Sequence, residues 1–255
     1  MIIYQHNDPG NNFEDFYPKS LIKIIFSKIA FEHAGRVVAI SKFVKNNLIN
    51  YYKVNSDKIS IIYNGTDVKE FYFNPHYYDG ILHFVSVARL TEDKGIQNSI
   101  KMLMDLPKDI NWDYTVIGDG EYKRQLLELK KYYHTDKIIF LGNRDNISEM
   151  LNSKDIFLHL CNCNEGFGIT IIEAMSKGKI CIVNNKGALP EIITNGIDGF
   201  VIDDEGEGIE DIKNIIYDSK KWNEIVQNAR ITANNYSISS YADNLDNALI
   251  EYKKN

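Results

Sequence analysis

The sequence lacks the features that would place the protein across a membrane or on a nucleic acid. No apolar run approaches the ~20 residues that span a bilayer, and no secretory signal is visible. Acidic residues outnumber basic ones by 35 to 29, so the net charge of −6 gives no general attraction for nucleic acid. Internal repeats and low-complexity segments are also missing. These absences favour a globular protein of the cytoplasm with no nucleic-acid partner.

Cysteine is scarce, with only Cys161, Cys163 and Cys181 in the chain. An odd number of cysteines in a chain of this length indicates reduced thiols and not a disulfide framework. The pair Cys161-x-Cys163 suggests a metal, but the spacing is not that of the usual zinc sites and no fourth ligand is apparent. We therefore interpret the pair as small residues that close a buried strand, and we expect no bound metal.

What the chain does contain is an alternation of strand-like and helix-like segments. Its 255 residues, 44% of them hydrophobic, suffice for one substantial core or two small ones. Val37–Ile40 and Ile59–Tyr63 are predicted strands, with Ser41 as the N-cap of the helix between them. Residues 66–80 are loop-like, and a new series of strands and helices begins at Ile81. The alternation predicts an α/β fold built from parallel βαβ units.

The most informative segment follows the strand-like residues 155–160. A glycine turn at residues 166–168 leads into a helix that ends near Gly178. The N–H groups of such a turn and of the helix start favour phosphate, and glycine lets the ligand approach closely. Glu165 and Glu173 flank the turn at a spacing of eight positions. Because carboxylates repel phosphate, we interpret them as acceptors for sugar hydroxyls, although two solvated glutamates beside an ordinary helix start remain the alternative.

This pattern resembles the Glu-x7-Glu motif of the retaining family 4 glycosyltransferases, which have the GT-B fold of two Rossmann-like domains. The resemblance implies that Glu165 contacts the transferred sugar and that Glu173 binds the nucleotide ribose. It also implies that backbone N–H groups bind the donor diphosphate. These groups belong to Gly166, Phe167, Gly168 and Ile169.

Two cations follow the strand that begins at Ile81. Arg89 and Lys94 lie at the carboxyl end of this strand, where open α/β sheets bind ligands. Alone they are typical of a solvated loop, but the family carries a similar pair, and the resemblance implies that both contact the donor diphosphate. Residues 64–67, 118–120, 140–142 and 187–191 match further family segments in the same order, and each is equally explained as a glycine turn.

His6 is a further candidate near the reacting centre. Residues 4–8 follow an apolar start and precede the Val38–Ser41 segment at a distance similar to that of a family histidine. The resemblance implies that His6 lies near the transferred sugar. A flexible, solvated histidine near a chain terminus is the equal alternative.

The resemblance also divides the chain into unequal parts. Residues 1–75 correspond to the last part of an N-terminal acceptor domain, residues 76–235 to a complete donor domain, and residues 236–255 to a helix that crosses back. We therefore predict a GT-B type fold with a complete C-terminal Rossmann-like domain and a partial N-terminal one. The partial domain is expected to be a two-stranded remnant that lacks roughly 100 residues. A fragment, a truncated gene and one half of a split enzyme all remain open.

The predicted function is that of a retaining glycosyltransferase in surface polysaccharide or glycolipid synthesis. The expected donor is a nucleotide sugar, the expected acceptor is a glycan or lipid-linked hydroxyl, and neither cofactor nor metal is expected. The alternative is a non-catalytic donor-domain fragment or subunit that partners a full-length glycosyltransferase, or one whose missing N-terminal half a partner protein supplies.

A helix-like segment at residues 17–36 bears on localisation. Lys19, Lys23 and Lys28 accompany a group of apolar residues there. Such a helix can lie peripherally on the inner face of the cell membrane, or it can pack normally with its lysines in solvent. The expected localisation is therefore cytoplasmic, with or without this peripheral contact.

Overall fold

Two parallel sheets organise the chain, one on either side of residues 69–79. The computed structural model describes residues 2–5, 18–68 and 80–254. His6 and the expected domain boundary at residue 75 lie outside the described residues. The described part is an α/β fold, as the alternation of elements predicts.

The first sheet has three strands in the order β1-β2-β3, all of them parallel. The elements are β1 (Ile2–Gln5), α1 (Pro18–His33), β2 (Arg36–Ala39), α2 (Lys42–Tyr52) and β3 (Ile59–Ile61). The expectation of a two-stranded remnant is therefore wrong. A four-residue run carries too little periodicity to predict a strand, and β1 is recognised only by its pairing with the buried strand β2.

The second sheet has six parallel strands in the order β6-β5-β4-β7-β8-β9. The strands are β4 (Leu82–Val87), β5 (Trp112–Ile117), β6 (Ile138–Gly142), β7 (Ile156–His159), β8 (Ile180–Asn184) and β9 (Phe200–Ile202). The order reverses between β4 and β7. Ligands of open α/β sheets bind in the crevice at the carboxyl ends of the strands that flank such a reversal.

Eight helices connect or follow these strands in the described part of the chain. They are α3 (Ile96–Met104), α4 (Lys123–Tyr132), α5 (Ile147–Asn152), α6 (Ile169–Ser176), α7 (Leu189–Ile192), α8 (Glu205–Ile216), α9 (Ser219–Asn234) and α10 (Ile238–Lys254). Helix α3 begins at Ile96, directly after Gly95. Gly95 adopts a positive φ of 67° that ends a short 3-10 helix, and any Cβ there would overlap the carbonyl oxygen of Leu160.

Buried apolar side chains on the two faces of the second sheet form two clusters. One cluster contains Phe84 and Leu158 and packs under α3 and α8. The other contains Val85 and Phe157 and continues without interruption to Val37 of β2 in the first sheet and to Leu48 of α2. The two sheets therefore share a hydrophobic core, which fixes the cleft between them.

A single carboxylate joins the N-terminus of α2 to the second sheet. The two oxygens of Glu191, in α7, accept the backbone N–H groups of Lys42 at 2.8 Å and Phe43 at 2.6 Å. The hydroxyl of Tyr63 donates to the same carboxylate at 3.1 Å, and Ser41 caps the N–H of Val44 as the sequence predicts. Free N–H groups and the helix dipole make a helix N-terminus favourable for a negative charge. Glu191 thus stabilises α2 and its contact with the second sheet together.

We predict that Glu191→Ala lowers the free energy of unfolding by about 1–3 kcal/mol, because two helix N–H groups lose their acceptor. Urea denaturation followed by circular dichroism measures this change. The matched control is Glu210→Ala, which removes an exposed carboxylate paired with Lys213 within one helix and is expected to cost under about 0.5 kcal/mol. Equal losses in the two variants would contradict the assigned role of Glu191.

Candidate functional site

A cavity of about 580 Å³ lies at the carboxyl ends of β4 and β7, where the strand order reverses. Its wall includes the loop from Val87 to Lys94, the end of β7 at His159, and the segment of residues 163–170. Ile40 and Asn64 complete the wall from the side of the first sheet. Both sheets therefore contribute to one crevice at the place where the topology favours ligand binding.

Most of the site residues predicted from the sequence line this cavity. They are Arg89, Lys94, Glu165, Gly166, Phe167, Gly168 and Ile169. Glu173 is not on the cavity wall; it lies in α6, where its carboxylate accepts the hydroxyl of Thr66 at 3.5 Å. Burial raises the pKa of Glu173, and the hydrogen bond from Thr66 partly offsets this effect. The structure thus places the two glutamates of the motif in different surroundings.

The glycine turn is anchored by its central residue. Phe167 is buried, its ring stacks on Tyr63 with 5.9 Å between centroids, and it meets Tyr236 edge-on at 5.6 Å. Gly168 adopts a φ of 123°, which residues with side chains rarely adopt, and helix α6 begins immediately after it. No side chain caps this helix start. The packed ring therefore holds the turn so that N–H groups of the turn and of α6 are available for an anion.

Glu165 is held by two side chains that contact the same carboxylate oxygen. Lys94 Nζ lies 2.7 Å and His159 Nε2 lies 3.3 Å from Glu165 Oε2. Burial alone raises the pKa of Glu165, but the hydrogen bonds and charges of His159 and Lys94 outweigh it and hold the pKa at about 2. Within the described residues no hydrogen bond reaches Oε1. Glu165 is therefore an ionised acceptor with one oxygen left for a ligand.

His159 was not identified as a site residue from the sequence. It is the last residue of β7 and is nearly buried, with 6% of its surface exposed. The sequence feature that could have identified His159 is a titratable side chain at the carboxyl end of an otherwise apolar strand. Its contact with Glu165, six positions later, forms because the chain turns back on itself. No local sequence pattern predicts this turn.

The two predicted cations differ in their surroundings. Lys94 is engaged with Glu165, and although burial lowers its pKa, this carboxylate more than compensates and raises the pKa above its usual value. Arg89 is exposed and lines the cavity, and its guanidinium makes neither a hydrogen bond nor an ion pair with any described residue. Its guanidinium is therefore free to hold an incoming anion such as phosphate.

Comparison with solved structures identifies the class of this fold. An Anabaena protein, HepE, solved in complex with UDP and glucose, superposes with a TM-score of 0.86 at 22% identity, covering 97% of this chain and 70% of that one. This likeness confirms the predicted α/β fold of GT-B type. The fold is therefore of GT-B type, with two Rossmann-like sheets.

The sequence comparisons identify the family. Residues 70–232 match the model of the glycosyl transferases group 1, and residues 2–70 match that of Glycosyltransferase Family 4. The chain belongs to the glycosyl transferases group 1 family.

Two relatives show what share of a family member's length this chain covers. An uncharacterized glycosyltransferase of Methanocaldococcus jannaschii is 29% identical over 96% of this chain and 62% of its own length. The O-antigen chain mannosyltransferase RfbU of Salmonella typhimurium is 31% identical over 78% of this chain and 57% of its own length. The chain thus spans about three fifths of the length of these relatives.

We predict that the contribution of Glu165 to stability depends on pH. Its pKa of about 2 is lower than the usual value of 4.5, so its stabilising effect is complete above pH 4.5 and is lost as the pH falls towards 2. Glu165→Gln should therefore be less stable than the wild type near neutral pH, by no more than about 3 kcal/mol, and the difference should shrink on acidification.

Urea denaturation of both proteins from about pH 6 down to about pH 3.5 measures this difference within the window that the lowered pKa defines. The control is Glu128→Gln, an exposed carboxylate 3.6 Å from Arg124, which should show little dependence on pH. A difference between wild type and Glu165→Gln that stays constant over this range would contradict the assigned surroundings of Glu165.

Proposed function

We propose that this chain forms the donor-binding part of a retaining glycosyltransferase, which moves a sugar from a nucleotide sugar to a hydroxyl acceptor in surface polysaccharide or glycolipid synthesis. One observation carries the proposal: a single cavity contains an ionised carboxylate with a free oxygen, an unpaired arginine and an uncapped helix start. The Salmonella relative, named as an O-antigen mannosyltransferase, and the UDP and glucose in the Anabaena structure support it.

In this proposal the donor diphosphate lies at the start of α6. The N–H groups from Gly166 to Ile169 and the guanidinium of Arg89 bind its oxygens. Lys94 has three N–H donors, so it can keep its contact with Glu165 and still face the phosphate. As the bond between sugar and diphosphate breaks, negative charge grows on the leaving group, and these fixed positive groups stabilise it without reorganising.

The sugar lies on the side of Glu165. Oε1 accepts a hydrogen bond from a sugar hydroxyl while Oε2 stays with Lys94 and His159. In the same proposal Glu173 binds the ribose, and His6 assists near the transferred sugar. The acceptor hydroxyl attacks from the face that the diphosphate leaves, which retains the configuration and requires neither metal nor enzyme nucleophile.

We predict that Arg89→Ala weakens the binding of a nucleoside diphosphate at least about tenfold, because a hydrogen bond to a charged group contributes about 1.5–3 kcal/mol. Isothermal titration calorimetry with UDP, GDP, ADP and dTDP measures the affinities. Arg124→Ala is the matched control, since Arg124 lies on exposed α4, outside the cavity wall, and should leave binding unchanged. Failure of the wild-type chain to bind any of these nucleotides would overturn the donor site.

The alternative is a non-catalytic subunit that partners a full-length glycosyltransferase. It is favoured by strand β1, whose only paired neighbour among the described strands is β2, so that its other edge can accept a further strand. In that case a partner protein would supply the rest of the first domain.

The Glu165→Ala variant distinguishes an enzyme from a non-catalytic subunit. For an enzyme, we expect hydrolysis of or transfer from the sugar nucleotide to fall by at least about 100-fold, because the contact to the reacting sugar is lost. Nucleoside diphosphate binding should change much less, since the carboxylate faces the sugar. Turnover that falls much less than 100-fold after this substitution would contradict the role of Glu165. No turnover in either protein, together with a stable complex with a transferase, would favour the subunit.

We further propose that helix α1 makes a peripheral contact with the inner face of the cell membrane. Ile25, Phe26 and Ile29 are 54%, 67% and 47% exposed, and Lys28 is exposed beside them. Apolar side chains with a nearby cation favour the surface of an anionic bilayer. In the described part of the chain, no helix combines the length and apolar character needed to cross a bilayer.

We predict that the full chain sediments with phosphatidylglycerol vesicles, and that Phe26→Ser reduces the bound fraction at least about fivefold, because burying such a side chain contributes about 1.5–3 kcal/mol. Ile231→Ser is the matched control, since Ile231 is 64% exposed on a different helix. Equal vesicle binding by the two variants, or none by the wild type, would overturn the membrane contact.

A further inference from the structure

Three side chains with different ligand atoms converge at the end of β7, beside the cavity that His159 and Glu165 line. An imidazole nitrogen of His159, the sulfur of Cys161 and a carboxylate oxygen of Glu165 all lie within 4.8 Å of one another. His159 and Cys161 are buried, and Glu165 is partly buried. The group forms because β7 ends at His159 and the chain then folds back, so that residue 165 returns to the end of the strand.

We propose that His159, Cys161 and Glu165 form a binding site for a zinc ion, and that occupation of this site opposes binding of the nucleotide-sugar donor. The zinc site depends on these three residues alone. The effect of zinc on donor binding rests on the proposed function.

The ligand set selects the kind of metal. One nitrogen, one sulfur and one oxygen are the donors that zinc uses, whereas magnesium and calcium require several oxygen ligands and avoid sulfur. Three protein ligands leave a fourth tetrahedral position for water. Zinc bonds of about 2.0–2.3 Å place the ligand atoms of a tetrahedral site about 3–4 Å apart, so small rotations of these side chains suffice to close the site.

The thiol must lose its proton for zinc to bind. The Cys161 thiol donates to the carbonyl oxygen of Cys163 at 3.1 Å, and a hydrogen bond with the Cys163 side chain together with burial raises its pKa. When the zinc–sulfur bond forms, this proton passes to solvent. The side-chain amide of Asn184 donates to the carbonyl oxygen of Cys161, which holds the backbone of the ligand in place.

Zinc at this position changes the donor site directly. The metal competes with Lys94, whose Nζ is 2.7 Å from the carboxylate of Glu165, and it places a divalent cation where the donor sugar would lie. A carboxylate bound to zinc no longer accepts a hydrogen bond from a sugar hydroxyl in the same geometry. The ion is therefore an inhibitor in this proposal and takes no part in sugar transfer.

Metal binding is tested on the reduced, metal-free chain with cobalt(II), which reports zinc-type sites by its visible absorption. We expect one cobalt per chain with thiolate charge-transfer absorption, and stoichiometric displacement of cobalt by zinc. Cys161→Ser and His159→Gln should each weaken binding at least about tenfold. Cys181→Ala is the control, because this buried cysteine lies outside the cluster and should leave binding unchanged. No stoichiometric binding, or unchanged binding in both ligand variants, would overturn the site.

The inhibitory effect is tested by titrating a nucleoside diphosphate into the chain with and without one equivalent of zinc. With zinc present, the wild-type affinity should fall at least about tenfold more than that of Cys161→Ser. Zinc also binds nucleotides directly. Comparing the wild type and Cys161→Ser at the same zinc concentration cancels this effect, because it is equal for both proteins. Zinc binding without any effect on the nucleotide would overturn the inhibition. Absence of nucleotide binding in zinc-free protein would overturn the proposed donor function and leave the metal site standing.

Discussion

The contact between Lys94 and Glu165 is the interaction on which the rest of the site depends. It joins the loop after β4 to the loop after β7 across the reversal of strand order, with 2.7 Å between Nζ and Oε2. The backbone of Glu165 is fixed as well, because its carbonyl oxygen accepts the N–H of Ala188 at 2.8 Å. A Cβ on Gly187 would overlap this carbonyl, so the loop after β8 must carry glycine there. Three loops therefore determine where one carboxylate points.

The first sheet supports this arrangement from the other side of the cleft. Tyr63 stacks on Phe167 of the glycine turn and donates to Glu191, which in turn accepts the first N–H groups of α2. The bonds between Thr66 and residues 236–238 connect the start of α10 to the same region. Movement of one sheet relative to the other would therefore disturb the glycine turn, whose N–H groups bind the donor diphosphate in the proposed function.

The sequence was sufficient to predict the parts of this molecule that depend on local patterns. Strands β2 and β3 begin and end within two residues of the expected segments, Ser41 caps its helix, and the strand, glycine turn and helix around Phe167 are present. The contact of Glu165 with Lys94 depends on the strand order, and its contact with His159 depends on the turn of the loop after β7. The contact of Glu191 with α2 depends on how the elements of the two sheets pack together. The pairing of β1 with β2 and the close approach of Gly95 to the carbonyl of Leu160 likewise depend on tertiary neighbours. The residues that line the cavity could therefore be predicted from the sequence. The contacts that hold their side chains in place could not.

A crystal structure of the chain with a bound nucleoside diphosphate tests the central claim most directly. The account predicts the diphosphate at the start of α6, within hydrogen-bonding distance of Arg89 and of N–H groups between Gly166 and Ile169, with Glu165 still held by Lys94. A nucleotide bound elsewhere on the chain, or a diphosphate that contacts neither Arg89 nor the glycine turn, would contradict it.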